Sequence, residues 1–228
     1  MSGRYFSQAS FDFLSELAAN NNRDWFNEHK QLYEDTIRTP ALALITDMAD
    51  ELPLVSPHFL ALPKKVGGSL MRVYRDTRFG KDKTPYKTNI GIQFRHEAGK
   101  DVHAPGFYLH IEPDGCFVGA GIWRPDSAAL GKIRDAIVEK GDTWKKVSRD
   151  KGFNGKYGLS GETLVNSPRG YPRDHPLLAD LKRKDFIAIS EITEKMVTSK
   201  RMMSQVIERY KLAGPYMKFL CNALELRY

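Results

Sequence analysis

Apolar residues recur at three, four and seven through the first part of the chain. In SQASFDFLSELAANN, Phe11, Leu14, Leu17 and Ala18 share one side of a helical wheel; Ser7 or Ser10 suits the start and Asn20 to Asn22 the end. NRDWFNEHKQLYEDTIRT repeats the arrangement with Trp25, Phe26, Leu32, Tyr33 and Ile37, leaving Glu28 and Lys30 on the wet side. A third helix is predicted to begin at Pro40, run through Leu44, Ile45 and Met48 to Leu52, and stop at Pro53. This aromatic stripe reads as core.

Beyond PLVSPHF the period changes to two. SLMRVYR, TNIGIQFR, GFYLHIE and CFVGAGIW predict four strands. Glu112-Pro113-Asp114-Gly115 is a hairpin signal: proline presets φ at the first corner, aspartate suits the second, and glycine accepts a left-handed position. A three-residue loop, Pro113 to Gly115, would pair Glu112 with Cys116. Phe107, Leu109 and Ile111 would then share a face with Phe117, Gly119, Gly121 and Trp123, and Tyr108 and His110 would join Val118 and Ala120. A two-residue loop exchanges those faces.

Asp126 or Ser127 caps a further helix, ALGKIRDAIVEK, with Leu130, Ile133 and Ile137 as its stripe, and 142–149 adds a turn or two. GFNGKYGLSGETLVNSPRGYPRDHP is mostly loop, with ETLV a candidate edge strand. PLLADLKRK predicts a short helix, FIAISEI a strand, and KRMMSQVIERYKLAGPYMKFLCNALEL two helices parted at Gly214-Pro215. The order argues for an α+β fold, a largely antiparallel central sheet with N-terminal and C-terminal helices packed on it. The expected organisation is one domain, 1–228, with a helical part 7–52, a sheet 66–123 and a mixed, helical part 126–228.

Composition narrows the partners. The chain carries a net charge of +7 with 41% hydrophobic residues, a globular balance that favours anions without the density of a histone-like binder. The N-terminus has no secretory h-region and no apolar run approaches a bilayer span of about 20 residues, so the expectation is a cytoplasmic chain without membrane association. Cys116 and Cys221 lack metal-type companions, which predicts two reduced thiols. No cofactor is called for.

The charge is concentrated in RVYRDTRFGKDKTPYKTN, Arg72 to Asn89. Six cationic side chains against two aspartates give this stretch four of the chain's seven excess positive charges. Alternation points Met71 and Val73 toward the core and Arg72 and Tyr74 away from it. Guanidinium forks match phosphate or carboxylate, and Tyr74, Phe79 or Tyr86 would offer a stacking plane for a base or sugar. The predicted ligand-binding set is Arg72, Arg75, Arg78, Lys81, Lys83, Lys87 and Tyr86, with a phosphate-bearing small molecule or nucleic acid as partner. The plain alternative is a solvated loop in which Asp76 and Asp82 pair locally.

His110, mid-strand in YLHIE, is the candidate catalytic residue, an acid or base if arginines or Glu112 converge on it; a hydrogen-bonded structural histidine is the competing reading. Gly119 and Gly121 strip side chains from one face, admitting a flat ligand or, the preferred reading here, a closely packed helix. P-loop and nucleophile-elbow templates fail on spacing, and the other histidines build no metal motif, His96 and His103 forming only a polar loop. A structural or protein-interaction module without a ligand is the third functional class.

NNRDWFNEHKQLYE, GGSLMRVYRDTRFGKDKTPYKTNIG, APGFYLHIEPDGCFVGAGIWRPD and HPLLADLKRKDF together resemble a bacterial and fungal family of conserved hypothetical proteins, domain of unknown function 2461. The resemblance covers nearly the whole chain and implies one unit rather than two unrelated domains. It transfers no active site.

Overall fold

The computed structural model describes residues 4–78, 81–99 and 104–228. Helices α1 (Gln8–Ala19) and α2 (Arg23–Glu28) form where the apolar spacing places them, with Ser7 at the first N-cap and the Asn22 side chain accepting from Trp25 N at the second. Pro40 does not start a helix. The chain runs on from α3 (Lys30–Tyr33) through a π turn (Glu34–Arg38) into α4 (Thr39–Glu51), which contains it. The wide turn is the accommodation: Thr39 N donates to Glu34 O, five residues back. Thr36 O, which Pro40 has no N–H to serve, accepts the hydroxyl of buried Ser10 at 2.8 Å.

The second proline is tolerated in the same way. Instead of two helices, one helix, α10 (Met202–Ala223), passes straight through Gly214-Pro215. An interior proline costs roughly 3 kcal/mol. Ending the helix there would forfeit the packing of Tyr216, Met217 and Leu220, all fully buried and each contributing roughly 1.5–3 kcal/mol. Burial wins. Before α10 come α5 (Ser127–Glu139), capped by Asp126, then α6 (Gly141–Ser148), α7 (Lys151–Asn154), α8 (Leu178–Leu181) and α9 (Glu194–Val197). Among the described residues no helix is long and apolar enough to cross a membrane.

The six strands are β1 (Phe59–Leu60), β2 (Ile90–His96), β3 (Gly106–Ile111), β4 (Phe117–Ile122), β5 (Gly158–Ser160) and β6 (Phe186–Glu191). Every neighbouring pair is antiparallel, in the order β1-β2-β3-β4-β6-β5, so the fold is α+β. The sheet reaches past 66–123 at both ends, taking in β1 before it and β5 and β6 after it. SLMRVYR is not a strand: it touches β2 through the bridge Leu70↔Ile92 and the bond Met71 N→Gly91 O, then leaves as an irregular excursion closed by Tyr74↔Tyr86. ETLV contributes the single bridge Thr163↔Arg183.

The β3–β4 register differs by one residue from the three-residue-loop expectation. Tyr108 faces Gly119 and His110 faces Phe117, a count that puts Glu112 opposite Gly115 and leaves Pro113 and Asp114 as a two-residue loop. Gly115 N donates to Glu112 O, and Asp114, not glycine, holds the left-handed position at φ 59°, the pattern of a type II turn after proline. Phe107, Leu109 and Ile111 therefore share the buried face with Val118, Ala120 and Ile122. The helices cover that face, Tyr210 of α10 packing on Phe107 and Phe94 and Trp144 of α6 on Phe186. One apolar cluster runs from Phe6 to Cys221, and both cysteines are free and buried.

Gly121 is the position where this sheet is least forgiving. Its φ is +131°, and a Cβ there would lie 2.0 Å from Phe186 O. Gly121→Ala is expected to lower the unfolding free energy by about 2–4 kcal/mol. At Gly119 the nearest atom would be Tyr108 Cβ at 3.4 Å, so Gly119→Ala is expected to stay within about 1 kcal/mol of the parent. Urea midpoints of the two variants check this, and equal losses would contradict it.

Candidate functional site

The opposite face of the sheet carries a groove of about 600 Å³, within the range of small-molecule sites. Its lining comes from strands and the segments that flank them, with no helical residue. The strand register arranges the floor in rows. Met71, Gly91, His110 and Phe117 make one; Gln93, Tyr108, Gly119 and Ile189 the next; Arg95, Gly106, Gly121 and Ile187 the third. Each row holds at least one glycine; Gly106, Gly119 and Gly121 line the groove and leave its floor low, whereas the space over Gly91 is taken by Tyr108 Oη and Met71 Sδ. The expectation that Gly119 and Gly121 admit a packed helix is thereby replaced by an open concavity. Met71, expected in the core, is 39% exposed and walls the groove, because the chain departs from β2 pairing immediately after it. Trp123, 65% exposed, stands at the far end.

Tyr108, His110 and Glu112 occupy alternate positions of β3 and its exit, so all three project to this face. Tyr108 Oη lies 3.0 Å from His110 Nδ1, and Glu112 Oε1 lies 3.3 Å from His110 Nε2. With Glu112 ionised, Nε2 carries the proton and Nδ1 accepts from the tyrosine hydroxyl. Asn89 Nδ2 lies 3.4 Å from the same Nδ1, and the imidazole stacks on Phe117 at 4.6 Å between centroids. Burial pushes the His110 pKa below its usual value, opposed by the carboxylate of Glu112. Burial, then Glu112, pushes the Tyr108 phenol up to about 12. His110 thus sits where the sequence reading required for chemistry, with Glu112 beside it; the arginines of 72–78 are absent from the groove lining. Tyr108 was missed, although its alternation with His110 and Glu112 was visible in YLHIE.

Two other arginines line the groove. Arg95 folds onto Gln93, its Nε 3.2 Å from Oε1. Arg124 lies with its guanidinium 4.9 Å from the Trp123 ring centroid. Arg124 is held at φ 50°, its backbone N–H donating to buried Asp185 at 2.7 Å, and the other oxygen of Asp185 accepts from Glu162 N at 3.0 Å. Neither arginine has an ion-pair partner among the described residues. No composition or spacing signal marks them, since only the register brings them to one face.

The basic segment is organised differently from a convergent site. Arg78 forks onto Asp76, its Nε and Nη2 at 3.0 and 2.8 Å, which drives that carboxyl far below the usual range. Arg75 pairs with Asp82, whose pKa is lowered by bonds from Thr84 before that of Arg75 is counted. Lys83 donates to Thr77 O at 2.8 Å, and Lys81 is exposed. Tyr86 is no open platform: it is buried, stacked on Phe26 at 4.0 Å, with its backbone held at both N and O by the Asn21 amide. Arg72 and Lys87 make no contact ion pair among the described residues, although the charge of Arg72 adds to the lowering of Asp76. Lys87 is half-buried, its pKa lowered by burial and by Arg72 and Arg75. Phe79 and His103 lie outside the described residues. His96 is structural, its Nε2 2.8 Å from Arg227 O and its Nδ1 accepting from Ala98 N. No cluster of metal-ligating side chains occurs among the described residues.

Because the folded His110 takes its proton at lower pH than an unfolded histidine, acidification below pH about 6.5 favours the unfolded chain until the folded imidazole also protonates. Glu112→Gln removes the group that opposes the shift, so the His110 pKa read by NMR is expected to fall further; a rise would contradict the assigned geometry. Searches of curated proteins and of solved structures return no match. The family model described as conserved hypothetical protein (DUF2461) matches residues 9–219, spanning α1 to α10 and every strand of the groove. The chain belongs to that family.

Proposed function

We propose that the protein binds a flat, largely apolar small molecule bearing an acidic group in the glycine-floored groove. The observation that carries this reading is the convergence of Arg95, Arg124 and the exposed Trp123 around a floor cleared of side chains. An apolar ring lies against glycine backbone at van der Waals distance, with Phe117, Trp123 and Met71 as its edges. The acidic group meets guanidinium forks that no carboxylate among the described residues occupies. The polar corner at Tyr108, His110 and Gln93 supplies orientation. Selectivity for planar ligands follows from the floor, because a bulky sp³ framework would lose contact with it.

A second reading keeps the anion at segment 72–89. What favours it is Lys87, half-buried beside Arg72 and Arg75, a concentration of like charge that an external phosphate would relieve. That contact suits a phosphate-bearing polymer passing over the surface, and it engages Arg72 and Lys87 rather than the internally paired Arg78.

The planar aromatic anion 8-anilinonaphthalene-1-sulfonate tests the groove. It is expected to bind the folded protein with quenching of Trp123, to be excluded by Gly119→Leu, and to bind at least about tenfold more weakly when Arg95 and Arg124 are both alanine. Equal binding to the Gly119→Leu protein would defeat the reading. For the basic segment, the salt needed to elute the protein from heparin is expected to drop in Arg72→Ala/Lys87→Ala and hardly change in Arg78→Ala; an unchanged elution in both removes it.

A further inference from the structure

Tyr108 is more than a polar contact in this groove. Its hydroxyl is joined to an imidazole whose far nitrogen faces a carboxylate, the arrangement by which a weak base is activated through a second and steadied by a third. All three groups ride on one strand and its exit, so their separations are set by the pleat rather than by loop packing. Asn89 and Phe117 meet His110 from neighbouring segments and Tyr108 and Glu112 from its own strand and exit, Glu112 being the charged one among these four, and beyond Phe117 the same row continues to Glu191 of β6. Nothing in this constellation is required by the core, because it lies on the face opposite the helices.

We propose that Tyr108, backed by His110 and Glu112, moves a proton on and off the carbon beside the carbonyl of a flat 2-oxo acid bound in the groove. The inference rests on the groove being a small-molecule site. In the forward step the substrate C–H bond breaks and its proton joins Tyr108 Oη, while the Oη proton passes to His110 Nδ1. The electron pair of the C–H bond enters a C=C bond and the carbonyl becomes an enolate. The imidazolium that forms is balanced by Glu112, and return of a proton through the same three groups restores the carbon. No electrons leave or enter, so neither oxidant nor reductant is involved.

The rest of the groove fits that substrate class. An enolate conjugated with an aromatic ring is flat, which the glycine floor admits. Gln93 stands in the same row as Tyr108, and its amide Nε2 is a donor free of the Arg95 contact, which uses Oε1; it is placed to stabilise the enolate oxygen. Arg95 lies one row away, roughly 7 Å along the strand at about 3.4 Å per residue, and its long side chain suits a carboxylate that in a 2-oxo acid stands only two bonds from the reacting carbon. The depressed His110 pKa keeps the imidazole neutral, hence able to accept, at neutral pH.

Phenylpyruvate in deuterated buffer separates this inference from the binding reading. Its affinity is read by Trp123 fluorescence, and the exchange of its methylene protons by NMR against a protein-free blank. Tyr108→Phe and His110→Gln are expected to slow exchange about 100-fold, far more than they weaken affinity. Wild-type exchange should decline as the pH falls through the depressed His110 pKa, below the ordinary histidine value of about 6.5, a decline missing from His110→Gln, which a purely structural histidine would not produce. Binding without acceleration, or Tyr108→Phe exchanging as fast as wild type, overturns the proton-transfer inference and leaves the groove reading standing. Failure to bind at all removes both.

Discussion

The pairing of β3 with β4 is the constraint on which the candidate site depends. A shift of one residue would put Tyr108 and His110 on the same face as Val118 and Ala120, so that either the polar pair or Gly119 and Gly121 would enter the layer beneath the helices. Two energetic preferences hold the observed register. Val118, Ala120 and Ile122 fill the layer beneath α10, whereas the alternative would insert Gly119 and Gly121 there and leave voids, each void of methyl size costing on the order of 1 kcal/mol. The turn agrees with the packing, since Pro113 presets one corner and Asp114 is among the few side chains that tolerate the left-handed conformation.

The same economy explains why one face is empty. Antiparallel sheets tolerate a wet face when the other is packed, and here helices from both ends of the chain, including the unbroken α10, gather on one side. Continuity of α10 through Pro215 matters to that arrangement. A break would free Tyr216 from its place beside Trp144 and Phe153, expose buried Met217, and loosen the layer that supports β4 from behind. The floor of the groove is therefore backed by residues that never touch it.

Much of this was legible in the residues. Helix positions followed from the 3.6 period, and β2, β3, β4 and β6 from alternation. What failed was local chemistry judged without tertiary context. Pro40 and Pro215 read as punctuation, yet a π turn with a buried serine absorbs the first and core burial outweighs the second. The turn at Pro113 misled because glycine is the usual left-handed residue, while here the neighbour before it takes that place. β1 and β5, of two and three residues, are too short to show a period. His110 was found because a mid-strand histidine stands out in any sequence. Tyr108 was not, because a tyrosine in a strand is the ordinary expectation.

The charge distribution carries the more general argument. Counting along the chain directs attention to 72–89, where cations are dense, but density in sequence is not convergence in space. In that segment Arg75 and Arg78 each meet an aspartate from the same stretch, Asp82 and Asp76, which orders the excursion at little net stability because the pairs are exposed. Arg95 and Arg124 come from stretches with no excess of charge, and they line one groove because β2 and the end of β4 flank β3. Arg95 and Arg124 are exposed and make no ion pair among the described residues, and at position 124 the backbone is braced through a buried aspartate, so their guanidinium groups stand hydrated beside an apolar concavity, open to an incoming acid. That is the physical ground for placing acid recognition in the groove rather than on the excursion.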